Sequence, residues 1–218
     1  MKTTAATLDK AGLERESQPF APRQVLLFSG HRVDAPGRAQ PRFPAALVPQ
    51  AGAAIAQALD ALGAGAGDLA LAQGAAGGDL LFAEACVARG VRVQLLLPLP
   101  EAEFIEQSVD GSDGDEDWRA RYAELRAGLA DAPRVLPDGW DGQPANGGNA
   151  FERCNLWLLS SALAYGIEKL RFICLWDGEG GDGPGGTAHM YREVKRRTGR
   201  VTWIDTRRLG TQTGAPMT

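Results

Sequence analysis

The sequence has little of what identifies several common classes of protein. It contains three cysteines and two histidines, and its apolar stretches are shorter than a membrane span. Cys86, Cys154 and Cys174 lie far apart in the chain, without the spacing of a metal site. We therefore expect unpaired structural thiols, no bound metal and no cofactor.

The beginning of the chain and its charge argue against two further classes. The N-terminal segment carries acidic side chains and lacks an apolar stretch of signal-peptide length. The formal net charge of −4 argues against nucleic acid as the main partner, because duplex binding needs a basic face. We expect a cytoplasmic protein that binds neither nucleic acid nor membrane.

What the chain does contain is a regular alternation of short apolar runs and helical patterns. Strands are predicted at residues 25–29, 69–73, 91–97, 170–176 and 201–204, and residues 135–136 are a candidate for a short edge strand. Helices are predicted at residues 45–62, 80–89, 118–129, 151–165 and 188–198. This alternation is typical of an α/β protein, so we expect a Rossmann-like, doubly wound, mainly parallel sheet of about five strands with helices on both faces.

The same pattern predicts one domain at residues 23–209, with a flexible leader at 1–22 and a flexible tail at 210–218. The acidic segment 106–117 and the glycine-rich segment 138–149 have no apolar period. We expect both to be loops, and the acidic one to be mobile.

A glycine-rich turn, GAAGGD, follows the second predicted strand and precedes a helix. Gly74, Gly77 and Gly78 leave the backbone bare, so a phosphate could reach the N–H groups at the helix N-terminus. The same glycines also suit a tight turn that binds nothing. Asp79 suits the N-cap of the helix or, because a carboxylate repels phosphate, contact with a ribose hydroxyl.

The longest glycine-rich loop, DGEGGDGPGGT, follows the strand predicted to end at residue 176. It contains G-x-G-x-x-G from Gly178, a weak match in so glycine-rich a loop. Its end carries Gly185, Gly186 and Thr187 to the start of a helix, which favours anion binding, with Thr187 as the predicted cap. Asp177 suits a hydroxyl, a cation or a turn. No lysine precedes Thr187, which excludes a Walker A loop.

The first strand ends in SGHR, which places Gly30, His31 and Arg32 at its carboxyl end. Arg32 is a candidate clamp for a phosphate or carboxylate. In a doubly wound sheet, ligands bind at the carboxyl ends of the strands where the strand order reverses. If the order is Rossmann-like, this loop and the loop after residue 176 flank that point.

Candidates for acid–base catalysis are His31, Glu84 and His189, although each also suits an ordinary structural contact. Asn155 borders an apolar run, and its burial would need a hydrogen bond, so we expect it to hold a loop or a ligand. Trp176 is most simply a core residue.

The segments FSGHR, QGAAGGDLLFAEACVARGVRVQLLLP and LWDGEGGDGPGGTAHM together resemble the SLOG superfamily. These Rossmann-like domains include the Lonely Guy phosphoribohydrolases, the DprA fold and the YpsA-like proteins, and the resemblance spans about residues 24–205. It implies that both glycine loops bind a nucleotide-type ligand. It also implies self-association, so a homodimer is expected.

In the Lonely Guy enzymes the late motif is PGGxGTxxE, whose glutamate serves catalysis. Here Met190 stands where that glutamate would be, and Glu193 follows three residues later. The similarity to the YpsA-like branch implies binding or sensing of a nucleotide or nucleotide-derived ligand. Two alternatives stay open: an enzyme that hydrolyses the N-glycosidic bond of a nucleotide, and a protein-interaction module with a vestigial pocket.

Overall fold

The computed structural model describes residues 20–112, 114, 116–140, 148–180 and 185–210. Its strands are β1 (Val25–Gly30), β2 (Leu69–Ala72), β3 (Arg92–Leu97), β4 (Arg134–Val135), β5 (Leu170–Trp176) and β6 (Thr202–Asp205). Its α-helices are α1 (Val48–Ala61), α2 (Gly78–Val87), α3 (Glu101–Phe104), α4 (Trp118–Gly128), α5 (Ala150–Leu163), α6 (Thr187–Thr198) and α7 (Thr206–Leu209). A 3₁₀ turn (Ala45–Leu47) precedes α1, and a π-helical turn (Ile105–Val109) follows α3.

The six strands form one sheet in the order β4-β3-β2-β1-β5-β6, and every neighbouring pair is parallel. The chain moves outward from β1 to β4 on one side, then returns to place β5 and β6 on the other side of β1. The reversal of strand order therefore lies between β1 and β5. The predicted doubly wound α/β class is confirmed, with six strands rather than about five.

Both faces of the sheet are covered by helices, which explains the unbroken apolar run of β1. Leu26 and Phe28 belong to the core beneath α1 and α2, whereas Val25 and Leu27 belong to the core beneath α5 and α6. Successive side chains of a strand point to opposite faces, so a strand buried on both sides is apolar at every position.

α2 begins two residues earlier than the sequence predicts. Gly77, with a φ of +107°, precedes its first residue, Gly78, so Asp79 is the second residue of the helix rather than its N-cap. Likewise Gly186 is the N-cap of α6 and Thr187 is its first residue. The predicted capping roles of Asp79 and Thr187 are wrong, because glycine backbones supply the helix entry at both places.

The acidic segment that was expected to be a mobile loop is helical in its first part. α3 continues into the π-helical turn, which buries Ser108 and Val109. The loop prediction is wrong for residues 106–109, because Val109 reaches the same core as Phe104 of α3.

Residues 1–19, 113, 115, 141–147, 181–184 and 211–218 lie outside the described part of the chain. Most of the predicted leader, most of the predicted tail and parts of the predicted loops fall on them. Phe20, near the end of the predicted leader, has its ring centroid 4.9 Å from the guanidinium carbon of Arg92. Within the described ranges, no helix combines the length and the apolar content needed to cross a membrane.

Candidate functional site

A cleft of about 300 Å³ opens at the carboxyl ends of β1, β2 and β5, next to the reversal of strand order. Ligands of doubly wound sheets bind at this position, and small-molecule sites begin at about this size. A larger groove of about 590 Å³ lies between α1, β6 and α7, but no predicted site residue lines it. The cleft is therefore the candidate site.

The loop after β1 brings Gly30 and Arg32 to the cleft. Gly30 is required by packing, because a Cβ there would lie 2.7 Å from the ring of Phe28. The guanidinium of Arg32 donates hydrogen bonds to the backbone carbonyls of Gln107 (2.6 Å) and Asp110 (3.2 Å). Arg32 therefore contributes positive charge to the cleft while the π-helical turn holds it in place.

His31 also lines the cleft and is paired with Asp177, which follows β5 and is not itself part of the lining. Nε2 of His31 lies 3.1 Å from Oδ1 of Asp177 and accepts a hydrogen bond of 3.2 Å from the backbone N–H of Asp177. Burial lowers the pKa of His31 despite the carboxylate, so the imidazole is neutral near pH 7. Burial works to raise the pKa of Asp177, but hydrogen bonds from Glu179 and His31 hold it below its ordinary value. The pair is thus a neutral imidazole oriented by a carboxylate.

The glycines of the GAAGGD turn pack against the protein and do not line the cleft; they are Gly74, Gly77 and Gly78. A Cβ on Gly77 would lie 2.7 Å from the backbone nitrogen of Val33. The N–H of Gly78 donates a hydrogen bond of 3.1 Å to the carbonyl of His31. The glycines of this turn therefore allow its backbone to pack closely against the loop after β1.

Asp79 belongs to the same turn and does line the cleft. It is only 7% exposed, so its carboxyl group is a buried part of the lining. Its Oδ2 accepts a hydrogen bond of 3.4 Å from the N–H of Ala75, and its buried Oδ1 has no hydrogen-bond partner among the described residues. Burial raises the pKa of Asp79 to about 7, although backbone N–H groups, that of Ala75 first, oppose the rise. At neutral pH the carboxyl group is therefore present in both protonation states.

The beginning of α6 brings Gly185, Gly186 and Thr187 to the cleft. Asn155, buried on α5, donates a hydrogen bond from Nδ2 to the carbonyl of Gly185, and Gln73 donates to Oδ1 of Asn155 at 2.9 Å. The prediction that Asn155 holds a loop is confirmed. Because the first turn of a helix leaves backbone N–H groups without internal partners, this end of α6 offers donors to an anion.

Of the three catalytic candidates, only His31 lies in the cleft lining. Glu84 is on α2 and accepts a hydrogen bond of 2.9 Å from Nε of Arg121. His189 is on α6, with Nε2 3.8 Å from Oε1 of Glu152. Glu84 and His189 are therefore engaged in contacts between helices.

Sequence reasoning missed the aromatic side of the cleft. Trp176 was predicted as a core residue, but it lines the cleft together with Phe151 of α5. The ring centroid of Trp176 lies 5.1 Å from that of Tyr191 and 5.8 Å from that of Trp203. Gly178 lies outside the lining, where a Cβ would be 3.1 Å from the ring of Trp203. The sequence did hold a signal for Trp176: it is the last residue of β5, and ligands bind at the carboxyl ends of parallel strands.

Arg42 is a second cation of the cleft that sequence reasoning missed. The connection after β1 folds back on itself because Asp34 accepts hydrogen bonds from the backbone N–H groups of Arg42 (2.9 Å) and Phe43 (3.0 Å). Arg42 and Arg32 thus reach one cavity from different parts of this connection. Across the described part of the chain, no group of three His, Cys, Asp or Glu side chains is arranged to hold a metal ion.

No protein-family model matches the chain, and no curated protein is detectably similar to it in sequence. Among solved structures, the chain is similar to the structure of Moco Carrier Protein from Chlamydomonas reinhardtii, with 13% sequence identity and a TM-score of 0.33. The similarity covers 84% of this chain and 91% of that chain.

Proposed function

We propose that this protein binds a nucleotide or a nucleotide-derived ligand in the cleft between β1 and β5. One observation carries the proposal: residues 185–187 at the beginning of α6 line the same cavity as two arginines, Arg32 and Arg42. Helix N-termini and guanidinium groups are the usual partners of phosphate in proteins. The arrangement favours an anionic ligand.

The rest of the lining suits the other parts of a nucleotide. Trp176 and Phe151 offer aromatic surface to a flat ring, and Asp79 offers an acceptor to a hydroxyl group. The resemblance of FSGHR, GAAGGD and PGGT to the SLOG superfamily supports the same class of ligand.

Binding or sensing is favoured over turnover by the residues near the late glycine motif. Met190 stands where the Lonely Guy glutamate would be, and it is 1% exposed in the core beneath α6. Glu84 and His189 do not line the cleft. Two of the three candidates for acid–base catalysis therefore lack access to a bound ligand.

Hydrolysis of an N-glycosidic bond is a second candidate function, favoured by the neutral His31 beside Asp177. Nε2 of His31 accepts from the backbone N–H of Asp177, so the neutral ring carries its proton on Nδ1 and the lone pair of the base on Nε2. Once Nε2 is protonated, it faces the carboxylate of Asp177 at 3.1 Å. A water oxygen would then bond to the anomeric carbon of the sugar while the C–N bond breaks. His31 would take the proton of the water, and the departing base would take a proton from solvent.

A thermal-shift screen with AMP, NAD, ADP-ribose and cyclic dinucleotides tests these functions, with chromatography of every mixture for products. A higher melting temperature without products supports binding or sensing. Release of a base or a ribose phosphate, abolished by His31→Asn while affinity is retained, supports hydrolysis. No shift with any of these compounds at millimolar concentration overturns both and favours the interaction module.

A further inference from the structure

We infer that Asp79 accepts hydrogen bonds from the hydroxyl groups of the ligand's sugar. The cleft therefore selects a sugar phosphate over an anion of equal charge that has no sugar. The inference rests on the proposed function and assigns the part of the ligand that contacts Asp79.

The first support is the state of the carboxyl group. Asp79 is more than nine-tenths buried and lines the cleft, and its Oδ1 makes no hydrogen bond to the described residues. Its Oδ2 already accepts from the backbone N–H of Ala75. A buried acceptor without a partner costs free energy, and a donor supplied by a ligand would recover it.

The second support is that three side-chain donors of the cleft lining already have partners. The side-chain amide of Gln73 donates to Asn155, and the hydroxyl of Ser29 donates to Oγ1 of Thr187 at 3.4 Å. The guanidinium of Arg32 is bound to the carbonyls at the end of the π-helical turn. A hydrogen bond to Oδ1 of Asp79 is therefore best supplied by a ligand.

The third support is the charge of Asp79. A carboxylate repels phosphate, so the phosphate of the ligand belongs at the beginning of α6 and not at Asp79. A ligand that contacts both groups needs an anionic group for the beginning of α6 and separate hydrogen-bond donors for Asp79. A ribose phosphate has this arrangement, with its phosphate on C5 and its free hydroxyl groups on the ring.

The test compares inorganic phosphate with D-ribose 5-phosphate at pH 8, where the carboxyl group is mostly ionised. Affinities are measured by NMR chemical-shift titration for the wild type, Asp79→Ala and a matched control, Asp60→Ala. Asp60 is an exposed acid near the end of α1, outside the cleft lining. Melting temperatures of both variants verify that they fold.

The wild type should bind ribose 5-phosphate at least about 10-fold more tightly than phosphate, because a hydrogen bond to a charged acceptor is strong. Asp79→Ala should remove this preference and leave the affinity for phosphate unchanged or higher, and Asp60→Ala should change neither. A folded Asp79→Ala variant that keeps the preference overturns the inference and leaves the proposed function intact. Binding of neither probe to the wild type overturns the inference, whereas the proposed function is decided separately by the nucleotide screen.

Discussion

Gln73 donates a hydrogen bond of 2.9 Å from Nε2 to Oδ1 of Asn155, and Asn155 in turn donates to the carbonyl of Gly185. This relay joins the end of β2, the helix α5 and the beginning of α6. Asn155 is 3% exposed, so its amide makes these bonds away from bulk water. The position of the turn that we propose as the anion site therefore depends on one buried side chain.

Asn155→Ala should destabilise the protein by about 1–3 kcal/mol, because the carbonyl of Gly185 and the amide of Gln73 both lose a buried partner. It should also weaken the binding of ribose 5-phosphate, since the turn is no longer held. Urea denaturation and NMR titration measure the two effects. Ser160→Ala, an exposed change on the same helix, is the control. Equal stability of Asn155→Ala and wild type would show that the relay is not structural.

Gly186→Asp should abolish anion binding without harming the fold. Gly186 is the N-cap of α6 and has a φ of −77°, which any residue adopts, and aspartate is a preferred N-cap residue. The helix should therefore be as stable as before, whereas the new carboxylate repels a phosphate at the same N–H groups. Affinity for ribose 5-phosphate should fall by more than about 10-fold.

Gly180→Asp is the matched control for that change. Gly180 belongs to the same loop and is exposed, and a Cβ there meets no atom within 4 Å. It adds the same charge outside the cleft lining. If both variants lose affinity equally, the effect is one of net charge and the beginning of α6 is not the anion site.

The carboxyl ends of β1, β2 and β5 were predictable because each of these apolar runs stops at a glycine or a polar residue. A parallel sheet then brings the carboxyl ends of β1, β2 and β5 to one edge. That Gly77 does not line the cleft was not predictable, because its place is set by close contact with the backbone of Val33, which is distant in the sequence. Arg42 was missed because its place depends on how the connection after β1 folds, which is set by the hydrogen bond from its N–H to Asp34.

The raised pKa of Asp79 should make the stability of the free protein depend on pH. Its pKa is about 7 in the folded protein and about 4 in an unfolded chain, so between these values the folded state holds a proton that the unfolded state releases. The free energy of unfolding should therefore fall as pH rises from about 4 to 7. The loss has an upper limit of about 4 kcal/mol.

Asp79→Asn should remove this part of the pH dependence, because an amide does not ionise. Denaturation curves at pH 5 and pH 8 should show the variant gaining stability relative to the wild type at the higher pH. The comparison isolates Asp79, because the neighbouring titratable and charged groups are the same in both proteins. These groups are His31, Arg32 and Arg42 of the cleft and the thiol of Cys154 on α5. Glu124→Gln, an exposed change on α4, should show no such gain. A constant difference between wild type and Asp79→Asn at the two pH values would contradict the prediction.

Trp176 should contribute to the affinity for the base of a nucleotide and little to the affinity for its sugar phosphate. The ring is held by Tyr191 and Trp203, and Nε1 donates a hydrogen bond of 2.8 Å to the carbonyl of Glu179. A ring fixed in this way loses little freedom when a base stacks on it. Stacking is worth about 1–3 kcal/mol per base, so Trp176→Leu should weaken AMP by about 5- to 150-fold.

The same variant should change the affinity for ribose 5-phosphate by less than about 2-fold, because that ligand has no base to stack. Trp203→Leu should weaken AMP less than Trp176→Leu does, since Trp203 packs against Trp176 but does not line the cleft. Tryptophan fluorescence should also be quenched by AMP in the wild type and less so in Trp176→Leu. Equal losses of both ligands in Trp176→Leu would mean that the ring supports the beginning of α6 and does not contact the base.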